Sequence, residues 1–90
     1  MTEVIKRNKK RQKFSRAKLE RSIILAAREA KVATSKAKQV ARDVAEGISK
    51  AVSKRRAVKS TELRRRVFRR LESRSAATIN AWRRYDRMKY

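Results

Sequence analysis

The chain has 90 residues, with 29 Lys and Arg against 8 Asp and Glu, for a formal net charge of +21; small soluble domains usually carry a magnitude of about 2–8. It contains no Cys and no His, which excludes disulfides, thiolate and imidazole metal sites, Cys nucleophiles and His general bases. Hydrophobic residues make up 40%, enough for a modest core and too much for a disordered basic tail.

Residues 3–14 read as a hairpin. Glu3-Val4-Ile5-Lys6-Arg7 and Arg11-Gln12-Lys13-Phe14 flank the tip Asn8-Lys9-Lys10, where Asn tolerates the left-handed backbone of a tight turn. Ser15 is placed to cap a helix from Arg16 to about Lys31, its hydroxyl accepting from a free N–H of the first turn. Leu19, Ile23, Ala26, Ala27 and Ala30 recur at helical spacing and form its apolar stripe. Val32-Ala33-Thr34 breaks the pattern, and Thr34 or Ser35 is expected to cap the next helix. There Ala37, Val40, Ala41, Val44, Ile48, Ala51 and Val52 share one face, and Arg42, Asp43, Glu46 and Lys50 take the other. Gly47, the single glycine, sits at the edge of that stripe and costs about 1 kcal/mol relative to Ala. Close helix approach is the expected reason for it.

A basic connector follows, Lys54-Arg55-Arg56-Ala57-Val58-Lys59, with Val58 in a short third strand. Ser60 is expected to cap a helix from Thr61 to Glu72, with Glu62 in its first turn favouring the positive end of the dipole. Leu63, Val67, Phe68 and Leu71 face inward, while Arg65, Arg66 and Arg69 project outward. Ser73-Arg74-Ser75 breaks the chain, and a last helix runs from Ala76 to about Met88, with Ile79, Trp82 and Tyr85 as packing residues. The fold class is therefore α+β, mostly α: a four-helix bundle with a two- or three-stranded sheet made by the hairpin and a strand near 57–59. The length predicts a single domain over residues 1–90.

The cations are concentrated in three places. The hairpin carries Lys6, Arg7, Lys9, Lys10, Arg11 and Lys13, six cations in eight residues. The connector adds Lys54, Arg55, Arg56 and Lys59. The third helix adds Arg65, Arg66 and Arg69, with Arg64, Arg70 and Arg74 at its flanks and end. Only Glu62 and Glu72 are nearby to form an i,i+4 ladder. Arginine makes bidentate contacts with phosphate, which suits a surface that engages a nucleic-acid backbone. The aromatics of the tail, Trp82, Tyr85 and Tyr90, alternate with cations; core packing is the expected role of the first two. Catalysis is not expected, because the carboxylates are scattered and no base-orienting group accompanies the Ser, Thr and Lys residues.

Spaced residues in this sequence resemble the ATP-cone domain family. Val4-x-Lys6-Arg7, then Phe14-Ser15, Lys18-Leu19 and Ser22-Ile23, is similar to the start of that domain, and Val58-Lys59-Ser60-Thr61-Glu62-Leu63 to the entry into its third helix. The resemblance covers nearly the whole chain. It implies four helices covered by a three-stranded sheet. It also implies binding of ATP or dATP, which in ribonucleotide reductases and their zinc-ribbon repressor regulates the host protein. Carried over by position, the implied nucleotide contacts are Val4, Lys6, Arg7, Lys18 and Thr61. The family's Asp-Gly at the hairpin tip is Asn8-Lys9 here, and Gln12 replaces an acidic residue. No zinc-ribbon cysteines accompany the domain.

The leading expectation is a non-catalytic protein that contacts the phosphate backbone of chromosomal DNA or structured RNA, ribosomal RNA included, and needs no cofactor. The alternative is an ATP- or dATP-binding regulatory domain acting on a partner protein; a third possibility joins the two. Self-repulsion at this net charge opposes compaction, so a polyanion is expected in the working state. The longest apolar run, Ile23-Ile24-Leu25-Ala26-Ala27, is far shorter than the roughly 18–20 residues of a membrane span, and no signal-peptide core follows the basic start. A cytoplasmic location on nucleoid or ribosome, away from membranes, is expected.

Overall fold

The computed structural model describes residues 2–86, with side chains described through Arg83. Three strands, β1 (Glu3–Ile5), β2 (Arg11–Lys13) and β3 (Ala57–Lys59), form one sheet in the order β2-β1-β3. β1 pairs antiparallel with β2, setting Val4 opposite Gln12, and parallel with β3, setting Val4 opposite Val58. Each strand has three residues, so only the middle side chain of β1 and of β3 faces inward. Those residues, Val4 and Val58, are buried side by side. The third strand anticipated near Val58 is therefore present, and the fold is α+β, mostly α. Thr2 fastens this end: its Oγ1 lies 2.6 Å from the Val52 carbonyl and 2.8 Å from that of Arg55.

Both hairpin strands are shorter than expected: β1 ends at Ile5, because Lys6 and Arg7 lead into the tip, and β2 ends at Lys13, one residue before Phe14. Lys9 N–H donates to the Lys6 carbonyl at 2.9 Å, and Lys6 N–H to that of Lys10 at 2.8 Å. The residue with left-handed backbone is Lys9, at φ 68°, not Asn8. Asn8 contributes its side chain instead, Oδ1 accepting from Lys10 N–H at 3.0 Å. This is a three-residue loop ending in a left-handed position, which glycine commonly fills.

Helix α1 (Arg16–Glu29) starts as its sequence predicts, with Ser15 Oγ accepting from Lys18 N–H at 3.2 Å. It ends two residues before Lys31 in a Schellman closure. Val32 N–H donates to the Ala27 carbonyl and Lys31 N–H to the Arg28 carbonyl, both at 2.9 Å, with Lys31 at φ 64°. Helix α2 (Thr34–Val52) has Ala33 at its N-cap and no side-chain capping bond, so neither Thr34 nor Ser35 caps it; Thr34 is already helical. Helix α3 (Ser60–Arg74) likewise has Lys59 at the cap position without a side-chain bond. Ser60 is buried as the first helical residue, because β3 runs directly into α3 and leaves no residue between them. Helix α3 runs on to Arg74, and Ser75 alone makes the break. Helix α4 (Ala76–Asp86) follows; its expected extension to Met88, the packing of Tyr85 and the role of Tyr90 lie outside what is described.

The stripes of all four helices meet in one core. Leu19 and Ile23 of α1, Val40, Val44 and Ile48 of α2, Leu63, Val67 and Leu71 of α3, and Trp82 of α4 join Val4 and Val58 there. Trp82 is buried as expected, and its Nε1–H donates to Ser22 Oγ at 3.1 Å while Ser22 donates to the Leu19 carbonyl at 2.7 Å. Ser75 and Thr78 share a buried hydroxyl pair at 2.7 Å. Among the described residues, no helix is long and apolar enough to cross a membrane.

Candidate functional site

The sheet delivers the hairpin tip and the start of α3 to the same place. Ile5, Lys6, Arg7 and Lys9 from the hairpin and Lys59, Ser60 and Thr61 from the β3–α3 junction line an open pocket of about 230 Å³. Parallel pairing of β1 with β3 explains the meeting: Ile5 is in register with Lys59, so the residues after each strand emerge together. The N-terminus of α3 opens here without a side-chain cap, leaving first-turn N–H groups and the positive end of the dipole available to an anion.

The pocket gathers Lys6, Arg7 and Thr61 of the positions implied for a nucleotide, and adds Ile5, Lys9, Lys59 and Ser60. Lys18 lies exposed in the first turn of α1 and is not among the lining residues. The Val4 side chain is fully buried; it orients the strand from within the core. Ile5 and Ser60 were missed by sequence reasoning. The signal was the register of two short strands, which no local pattern of charge reveals.

Beside this pocket Lys59, Thr61, Glu62, Arg65, Arg66 and Arg69 line a groove of about 500 Å³. A third recess, of about 300 Å³, is lined by Arg7, Arg64, Phe68 and Arg83. Lys59 and Thr61 are common to the first two concavities, and Arg7 to the first and third, so the three form one continuous face. Among the described residues, Glu62 is the single carboxylate lining it.

Glu62 is the acceptor at the centre of a clip. Arg55 of the connector engages it with both Nη atoms, the Nη2–Oε1 distance being 3.1 Å, and Arg66 Nε donates at 3.1 Å. The hydrogen bond from Arg55 is the main cause that holds the Glu62 carboxyl below its ordinary value, with Arg66 adding to it. Arg55 and Arg66 are thus partly neutralised. Arg11 similarly pairs with Glu3 at 3.3 Å, and Arg74 with Asp43 at 3.5 Å. Arg65 and Arg69 are exposed and make no ion pair among the described residues. Lys10, Lys13, Lys54 and Arg56 are also exposed, but none lines the continuous face; they stand on the hairpin and connector around it.

Arg70 leaves the face for the opposite flank of α3. Its guanidinium lies against Gly47 of α2, where a Cβ would collide with it. A side chain, not a neighbouring helix backbone, therefore occupies the space that the glycine leaves.

A family model described as the ATP cone domain matches residues 2–89. No curated protein and no solved structure matches the chain.

Proposed function

The chain belongs to the ATP cone domain family, and on that scaffold we propose a non-catalytic protein that binds the phosphate backbone of DNA or structured RNA. The observation that carries this reading is the continuity of the cationic face. Lys6, Arg7, Lys9, Lys59, Arg65 and Arg69 lie along three concavities that share residues, and Glu62, the one carboxylate among the described lining residues, is already engaged by two arginines. Such a face suits a polymer with many closely spaced phosphates better than one small anion. Its location in the cell would then follow its partner, nucleoid or ribosome.

The test is a gel shift with a mixed-sequence duplex and a folded RNA, comparing the parent with Arg65→Glu/Arg69→Glu. The pair of changes removes two phosphate contacts and adds two repulsive charges, so affinity is expected to fall at least about tenfold. Unchanged affinity would remove α3 from the interface.

A second reading, an ATP- or dATP-binding regulatory domain acting on a partner protein, is favoured by the pocket at the uncapped start of α3. Helix N-termini flanked by Lys and Arg accept phosphates. The left-handed Lys9 supports it too, since it keeps the backbone form of a glycine-containing turn at this tip. Lys9 also brings a long side chain to the pocket lining, which makes ATP binding weaker than a glycine there would allow. Calorimetry showing tight ATP binding that competing nucleic acid does not disturb would put this reading first.

A further inference from the structure

The recess lined by Arg7, Arg64, Phe68 and Arg83 differs from the other two concavities in having an aromatic wall. Phe68 is half-buried and packs against the core. Its ring meets Trp82 edge to face, with centroids 5.2 Å apart and planes at 86°, so it is backed by a buried, hydrogen-bonded residue. The Arg83 guanidinium stands over the Phe68 ring, its central carbon 4.9 Å from the centroid. A planar group therefore already lies over this ring, and it belongs to an exposed side chain. Among the described residues, those lining the recess are three arginines and the phenylalanine.

We propose that this recess takes an unpaired base of a polynucleotide strand, stacked on Phe68, with Arg7 and Arg64 beside the flanking phosphates. The base replaces a solvent-exposed cation–π contact with aromatic stacking, and the displaced Arg83 turns to the strand or to the outer face of the base. Arg7 also lines the pocket at the start of α3, so a strand anchored at Phe68 continues onto the larger cationic face. A paired base cannot enter without leaving its duplex, and the preferred ligands become single strands and RNA loops. This inference rests on the polymer-binding reading and narrows its ligand. It relies on stacking, which tolerates any base, and asks for no sequence recognition.

The experiment compares a short oligothymidine strand with an abasic strand of equal length, which has the same phosphates and no bases. The parent is expected to bind the base-bearing strand about tenfold more tightly at one fixed salt concentration. Phe68→Leu is expected to bind both strands with the affinity the parent shows for the abasic one, and Phe68→Tyr to keep the preference. A second measurement needs no variant. Trp82 is the only tryptophan, so the base-bearing strand should change its emission while the abasic strand leaves it unaltered. Equal binding of the two strands by the parent overturns the stacking recess and leaves backbone binding standing. A preference that survives in a folded Phe68→Leu protein also overturns it. Binding of neither strand overturns the stacking recess, and failure to bind the duplex and the folded RNA as well overturns both.

Discussion

At the scale of single residues, the Ser22 hydroxyl serves two elements at once. It donates to its own helix and accepts from the Trp82 indole across the core. Ser22→Ala leaves that indole N–H buried without a partner, and an orphaned donor costs about 1–3 kcal/mol; thermal melts should record a loss of that size. Two other positions lie on the wrong side of the backbone map for their residue type. Lys9 at φ 68° and Lys31 at φ 64° each hold a conformation costing an L-residue about 1–2 kcal/mol. Lys9→Gly is therefore expected to raise stability by up to about 1 kcal/mol after the entropic cost of glycine is subtracted; a fall in melting temperature would contradict this account of the tip. These sites also mark how far the residues could be read in advance. Ser15 was legible as a cap because its hydroxyl and position suffice. Lys9 and Lys31 are not, since nothing in a lysine signals positive φ and Asn8 is the tip residue that ordinarily tolerates it. The cap sought in Ser60 failed because β3 passes into α3 without a loop.

At the scale of elements, helices followed their apolar spacing closely, while the functional concavities depended on junctions. The stripe of α2 illustrates the first. Val44 is wholly buried in it, and Val44→Asp would place a carboxylate among apolar side chains. That costs several kcal/mol against a small total stability, so the variant should lack a cooperative melt. Arg65→Glu/Arg69→Glu sits on the outer face of the neighbouring helix α3 and should melt at or above the parent temperature, because it relieves like-charge repulsion. An early melt would make those arginines structural. The Glu62 clip illustrates the second. It joins the connector to α3 through Arg55 and Arg66, a pairing hidden from sequence because Arg55 lies seven residues before its partner. With its folded carboxyl held below the ordinary value of 4.5, Glu62 supports the fold fully above that value and progressively less as pH falls through its lower folded pKa. Melting temperature should thus drop with acidification below about pH 4.5. Glu62→Gln should show a shallower drop over that interval; an identical pH profile in both proteins would remove the clip from the stability of the junction.

For the whole molecule, 29 cations against 8 carboxylates make the free protein a store of like-charge repulsion, which a polyanion relieves. Much of that charge is arranged rather than scattered. The short sheet sends the hairpin tip and the β3–α3 junction to one end of its strands, and α3 extends the face with Arg65 and Arg69. The account's central claim, that this face engages many phosphates together, is tested most directly by the salt dependence of binding to a nucleic-acid duplex. With about six to ten phosphates engaged, affinity should fall about 10³–10⁵-fold between 50 and 200 mM salt, along a straight line of log affinity against log salt. Affinity that stays nearly constant over that range would contradict it.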